Sequence, residues 1–196
     1  MNEVKIANPG PLGLSGFALT TLILSLVNAG IIGGANVAVV IALALFYGGL
    51  AQLLAGMWEF RSGNTFGATA FSSYGAFWLS FAALFIPGLG NPKLAGDNTG
   101  LGWYLMAWGI VTAFLFIASL RTNGATAAVF ILLTITYVLL AIGFWQNQAF
   151  GKGITQIGGF VGILTAIVAW YTAFAGVLAS VNGGKNVLPV FPLTGA

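Results

Sequence analysis

The chain has 196 residues, of which 59% are hydrophobic and 5% charged, with a mean hydropathy of +0.99 and 6 Lys plus Arg against 3 Asp plus Glu. Six cations spread over the loops make no nucleic-acid surface. The absence of cysteine and histidine excludes disulfides, thiolate chemistry, the usual nitrogen ligands of metals and the side chain that titrates nearest neutral pH.

Continuous apolar runs of about 20 residues match a hydrocarbon core of ~30 Å and lack the period-2 alternation of a barrel, so the expected class is an all-α integral membrane protein. Met1 to Asn8 is polar and lacks the charged region, short apolar core and small-residue cleavage site of a signal peptide, so the first span is expected to be retained. That span, Leu12 to Ile32, is preceded by Asn8-Pro9, a cap residue and a first-turn proline. Helical spacing puts Phe17, Thr21, Leu24 and Asn28 on one stripe, with Ser25 at its edge.

The second span, Asn36 to Phe60, aligns Gly48, Gln52, Ala55 and Glu59. Glu59 is the one acidic residue inside a span. It lies near the end of that span and two residues from Arg61, where an interfacial carboxylate and a proton-carrying or gating group fit equally. The third, Thr65 to Ile86, opens at the cap side chains of Gly63-Asn64-Thr65 and is stopped by Pro87. One of its faces is small or polar (Thr69, Ser73, Ala76, Ser80) and the other aromatic (Phe71, Tyr74, Trp78, Phe81). The fourth is Gly102 to Leu120. The fifth, Thr126 to Trp145, aligns Thr126, Phe130, Leu133 and Tyr137, and the sixth is Gly158 to Leu178. Trp103 and Trp145 fall at span ends, where an indole suits the headgroup region.

Six spans leave no residues for a soluble domain, so residues 1–196 are read as a single transmembrane domain. An even number of spans puts both termini on one side with Lys5, Arg61, Arg121 and Lys185, against Lys93 and Lys152 opposite; this bias places the termini in the cytoplasm. Asp97 does not enter a rule that counts cations. A cytoplasmic (inner) membrane is the default location for such a multi-pass bundle. Glycine pairs four apart, Gly30/Gly34, Gly63/Gly67 and Gly158/Gly162, offer flat surfaces for helix contacts within the bundle or between subunits. The first, third and fifth helices each begin near an asparagine, Asn8, Asn64 and Asn123.

No Lys or Arg lies deep in any span, so a path through the bundle suits a small neutral solute, a weak acid in protonated form, or an anion held by hydroxyls and helix N-termini. Ammonia, urea and a short polyol satisfy that description as well as an acid does. An intramembrane hydrolase, suggested by Gly13-Leu14-Ser15-Gly16, lacks the histidine base it needs, and no enzyme is expected. A non-transporting assembly or sensor protein would use the glycine-rich surfaces equally well.

Three segments carry a resemblance: Asn8-Pro-Gly-Pro-Leu-Gly-Leu14 with its continuation to Phe17, Phe46-Tyr-Gly-Gly-Leu-Ala-Gln52, and the run from Gly63 to Trp78. They resemble the acetate uptake transporter family, whose bacterial members are succinate-acetate permeases; Gly10 replaces the alanine common in the first motif. The resemblance implies a homohexamer of six-helix protomers, each with its own path for acetate and related mono- or dicarboxylates, succinate among them, and no cofactor or nucleic acid. It also implies a hydrophobic constriction at Phe17, Tyr74 and Leu133. An apolar ring excludes hydrated ions while admitting a methyl group, and Tyr74 brings a hydroxyl as well as a ring. Asn8, Thr20, Thr21, Gln52, Asn64 and Thr65 are the candidate substrate-binding side chains around it. With Glu59 the single buried-carboxylate candidate, the permeant acid is expected to carry its own proton or to follow a channel-like path.

Overall fold

In the computed structural model, which describes residues 6–90 and 98–193, six helices are long and apolar enough to cross a membrane. They are α1 (Gly10–Asn28), α2 (Gly34–Arg61), α3 (Thr65–Phe85), α4 (Thr99–Ser119), α5 (Gly124–Trp145) and α6 (Gly153–Val181). Lys5, Lys93 and Asp97 lie outside the described residues.

Local chemistry sets the ends, and several differ from the expected spans. Pro9 takes the cap position of α1 and Pro11 its first turn, one residue later than the Asn8-Pro9 reading. Asn8 nonetheless accepts the Gly10 N–H through Oδ1 at 2.9 Å. The helix stops at Asn28 rather than Ile32 because Gly30 turns the chain with φ +74°. Ile86 is extended, as a residue preceding proline must be, so α3 ends at Phe85. Both α4 and α5 begin earlier than expected, and α4 ends a residue sooner. α6 exceeds Gly158 to Leu178 at both ends; at its start, Thr155 is buried against Gly143 and Gln156 donates to the Ala29 carbonyl at 3.2 Å.

α2 departs from regular geometry in a way its periodicity does not reveal. A 3₁₀ turn (Gly34–Asn36) leads into α-helix (Val37–Leu45), then a π-helical stretch (Phe46–Ala51), then α-helix again (Gln52–Arg61). Such wide turns concentrate at functional sites. Here α1 crosses at close range: a Cβ on Gly16 would stand 2.5 Å from the Tyr47 carbonyl oxygen, and one on Gly48 would stand 2.5 Å from Thr20 Oγ1. Lipid removes the hydrophobic drive between helices, so close van der Waals contact at such small residues is what holds them together.

The aromatic face of α3 turns inward. Tyr74, Trp78 and Phe81 are buried, whereas Thr69, Ala76 and Ser80 are exposed. Phe77 meets Trp78, Trp108 and Tyr137 edge-on, with ring centroids 4.9, 5.3 and 5.4 Å away. Of the expected glycine surfaces, Gly158 and Gly162 pack inside the bundle, against Leu140 and against Ser25 with Thr136. Gly30/Gly34 and Gly63/Gly67 form none, since Gly30 and Gly63 sit in turns with φ +74° and +79°. After α6 the chain folds back on the start of α5, where Gly124 and Ala125 donate their N–H groups to the carbonyls of Phe191 and Val190 at 2.7 and 3.2 Å. Two donors that a helix start leaves open are met in this way.

Candidate functional site

α1, α2, α3 and α5 enclose a cavity of about 260 Å³. Its depth follows from the order of its lining residues along each helix. It runs inward from Asn8 to Phe17 on α1, from Asn64 to Tyr74 on α3 and from Asn123 to Leu133 at α5, and on α2, which runs the other way, from Glu59 to Gln52. Phe17, Tyr74 and Leu133, the three expected constriction residues, are therefore the innermost side chains that their helices contribute. Each is 3% exposed.

The mouth is polar and built from helix starts. Asn8, Asn64 and Asn123 all line it, and each side-chain oxygen accepts a backbone N–H of its own helix: Gly10 at 2.9 Å, Gly67 at 3.1 Å and Thr126 at 2.9 Å. The recurrence of asparagine before the first, third and fifth helices thus corresponds to three helix N-termini converging on one cavity. Their partial positive ends favour an anion, and no Lys or Arg is among the described residues that line the cavity.

Glu59 is 2% exposed although it lies near the end of α2, and it lines the cavity mouth. Its carboxylate accepts from Asn64 Nδ2 at 2.8 Å and Ser62 Oγ at 3.3 Å, both neutral donors. Gln52, 1% exposed, has a side-chain oxygen with no hydrogen-bond partner among the described residues.

The inner end is aromatic and aliphatic. The Phe17 and Tyr74 rings lie 5.8 Å apart, and Phe130 stands 6.1 Å from Tyr74 on the other side. The Tyr74 hydroxyl is not free: it donates to Thr112 Oγ1 on α4 at 2.9 Å.

The remaining expected contacts lie elsewhere. Thr20 donates to the Gly16 carbonyl at 2.9 Å and packs on Gly48. Thr21 is buried with an unpartnered hydroxyl, one turn beyond Phe17, and Thr65 is exposed at the first position of α3; none of the three lines the cavity. Phe66, Phe71, Val129 and Phe130 do line it. Phe130 was recoverable from the Leu133 stripe and Phe71 from the aromatic face that holds Tyr74, but Phe66 lies off that face and no periodicity gives it. A polar mouth rich in helix N-termini, joined to an aromatic floor, suits a small amphipathic anion: carboxyl at the mouth, methyl at the floor.

Comparison with known proteins supports the same chemistry. The model of the GPR1/FUN34/yaaH family matches residues 1–195. Acetate permease A of Emericella nidulans is 46% identical over 190 residues, which cover 91% of this chain and 64% of that protein's length. The succinate-acetate/proton symporter SatP of Escherichia coli (strain K12) is 42% identical over 191 residues, covering 97% of this chain and 98% of the other. The solved structure of the bacterial acetate channel SatP matches with a TM-score of 0.86 at 41% identity, over 95% of this chain and 99% of that one.

Proposed function

The chain belongs to the GPR1/FUN34/yaaH family, and from that premise we propose that it carries acetate and related short-chain carboxylates, succinate among them, across a membrane. The observation that carries this reading is the cavity itself: three helix starts at its mouth, each with an asparagine side chain accepting a backbone N–H, and Phe17, Tyr74 and Leu133 at its floor. The carboxyl group docks among Asn8, Asn64 and the backbone of the helix starts. Gln52 supplies an amide at the inner end, and the methyl group meets the aromatic rings. Of Thr20, Thr21 and Thr65, which lie outside the cavity lining, Thr21 is the best placed to contact substrate further along the path, one turn past Phe17 on the same stripe.

Passage through an apolar floor favours a solute that sheds charge or hydration at little cost. A permeant acid that brings its own proton does so, and Glu59 is the one carboxylate among the described residues that line the cavity. The relatives' names divide in the same way, one a proton symporter and one a channel. We further assign the protein to a cytoplasmic (inner) membrane, with residues 1–196 as one domain, termini on the cytoplasmic side and six protomers per assembly. The apolar side chains exposed on α2, α4 and α6, such as Phe46, Phe114 and Phe160, are those available to lipid or to neighbouring protomers.

Substrate competition tests the assignment. Uptake of labelled acetate into liposomes holding the purified protein should fall on addition of unlabelled propionate or succinate and be indifferent to urea and ammonium. Inhibition by urea or ammonium with none by carboxylates would favour a path for another small solute.

A further inference from the structure

The hydroxyl of Tyr74 is held from outside the path. Thr112 is fully buried on α4, a helix that contributes nothing to the cavity lining, and its Oγ1 lies 2.9 Å from Tyr74 Oη. The direction of this bond is fixed by a second one. Thr112 donates its own proton to the Trp108 carbonyl at 2.7 Å. A threonine hydroxyl has one proton, so toward Tyr74 it acts only as an acceptor, and the Tyr74 proton is the one shared between them. The Trp108 ring, 6.3 Å from that of Tyr74, backs the same side.

We propose that Thr112 is a positioning residue for the constriction: it anchors the Tyr74 ring across the path and withholds the tyrosine proton from a passing carboxylate. Tyr74 then acts toward the solute as a ring whose remaining lone pairs accept but whose hydroxyl does not donate. A carboxylate finds no hydrogen-bond donor from Tyr74 at the narrowest point, whereas the O–H of a carboxylic acid finds an acceptor. Anions are thereby held at the mouth by the helix starts rather than at the floor. This inference rests on the reading of Phe17, Tyr74 and Leu133 as the constriction.

The test uses the full-length protein in liposomes, with KM for acetate and the acetate-to-propionate uptake ratio as readouts and size-exclusion chromatography as the check on assembly. Thr112→Ser, which keeps both hydrogen bonds, should behave as the unsubstituted protein. Thr112→Val frees the tyrosine hydroxyl to bond substrate and should lower KM by about fivefold, the worth of one hydrogen bond of about 1 kcal/mol; adding Tyr74→Phe should reverse that gain. A Thr112→Val variant with unaltered KM and ratio, or a gain in it that Tyr74→Phe does not reverse, would overturn the proposal; if Thr112→Val does not assemble, Thr112→Ala, which also lacks the hydroxyl, decides by the same two outcomes. Tyr74→Ala separates the two claims: an unchanged uptake ratio there removes the constriction itself, while a changed ratio beside a silent Thr112→Val removes only the role of Thr112.

Discussion

Asn64 performs two tasks with one side chain: its Oδ1 caps α3 by accepting the Gly67 N–H at 3.1 Å, and its Nδ2 donates to the Glu59 carboxylate at 2.8 Å. The end of α2 is thereby tied to the start of α3, and a buried carboxylate is fixed beside the cavity mouth.

Replacing Asn64 by alanine should cost about 1 kcal/mol for the lost cap, with a further loss because the Glu59 oxygen keeps only the longer bond from Ser62, at 3.3 Å. Asn64→Asp retains the capping oxygen but sets a second carboxylate against Glu59, and should be less stable than Asn64→Ala at neutral pH. Thermal unfolding in detergent, followed by tryptophan fluorescence, orders the three proteins.

Glu59→Gln keeps the shape and an acceptor for Asn64 while removing the exchangeable proton of the carboxyl group. If the permeant acid carries its own proton, this variant should retain at least half of the acetate uptake. Uptake at background with the assembly intact would assign the proton relay to Glu59.

Phe17→Ala and Tyr74→Ala each remove a ring from the cavity floor, so both should raise the rates for propionate and succinate relative to acetate without unfolding the bundle. Competition uptake in liposomes reads that ratio. Normal assembly with unaltered selectivity would exclude these positions from the narrowing.

Gly16→Val places a branched side chain against the Tyr47 carbonyl, which lies 2.5 Å from where a Cβ would stand. It should cost about 1–3 kcal/mol or more as overpacking and lower the yield of assembled protein. Gly100→Ala, in open space at the start of α4, should be neutral or slightly stabilising in the same thermal assay.

The six helices were readable from the chain because a bilayer demands apolar length and internal hydrogen bonding, and both are written in local sequence. The Asn64 cap and the Pro87 stop were readable for the same reason, since each acts within a few residues. The π-helical stretch at Phe46–Ala51 was not, because it arises where α1 crosses at Gly16 and Gly48, a contact between distant segments. Within the site, Asn8, Gln52, Glu59 and Asn64 come together as expected, along with Phe17, Tyr74 and Leu133. Thr20 illustrates the limit: a hydroxyl at helical spacing from a pore residue bonds the backbone four residues back as readily as it faces a path, and only the packed neighbour decides. Thr112 escaped notice because its partner, Tyr74, is 38 residues away on another helix.

Uptake of labelled acetate by the purified protein in liposomes, with and without an imposed pH gradient and against protein-free liposomes to subtract passive diffusion of acetic acid, bears most directly on the proposed path. Protein-dependent uptake that propionate displaces and that Phe17→Ala and Tyr74→Ala alter in selectivity is the expected result, and accumulation following the gradient would show that protons move with the acid. No uptake above the protein-free liposomes, from protein verified as folded and inserted, would contradict a carboxylate path through this cavity.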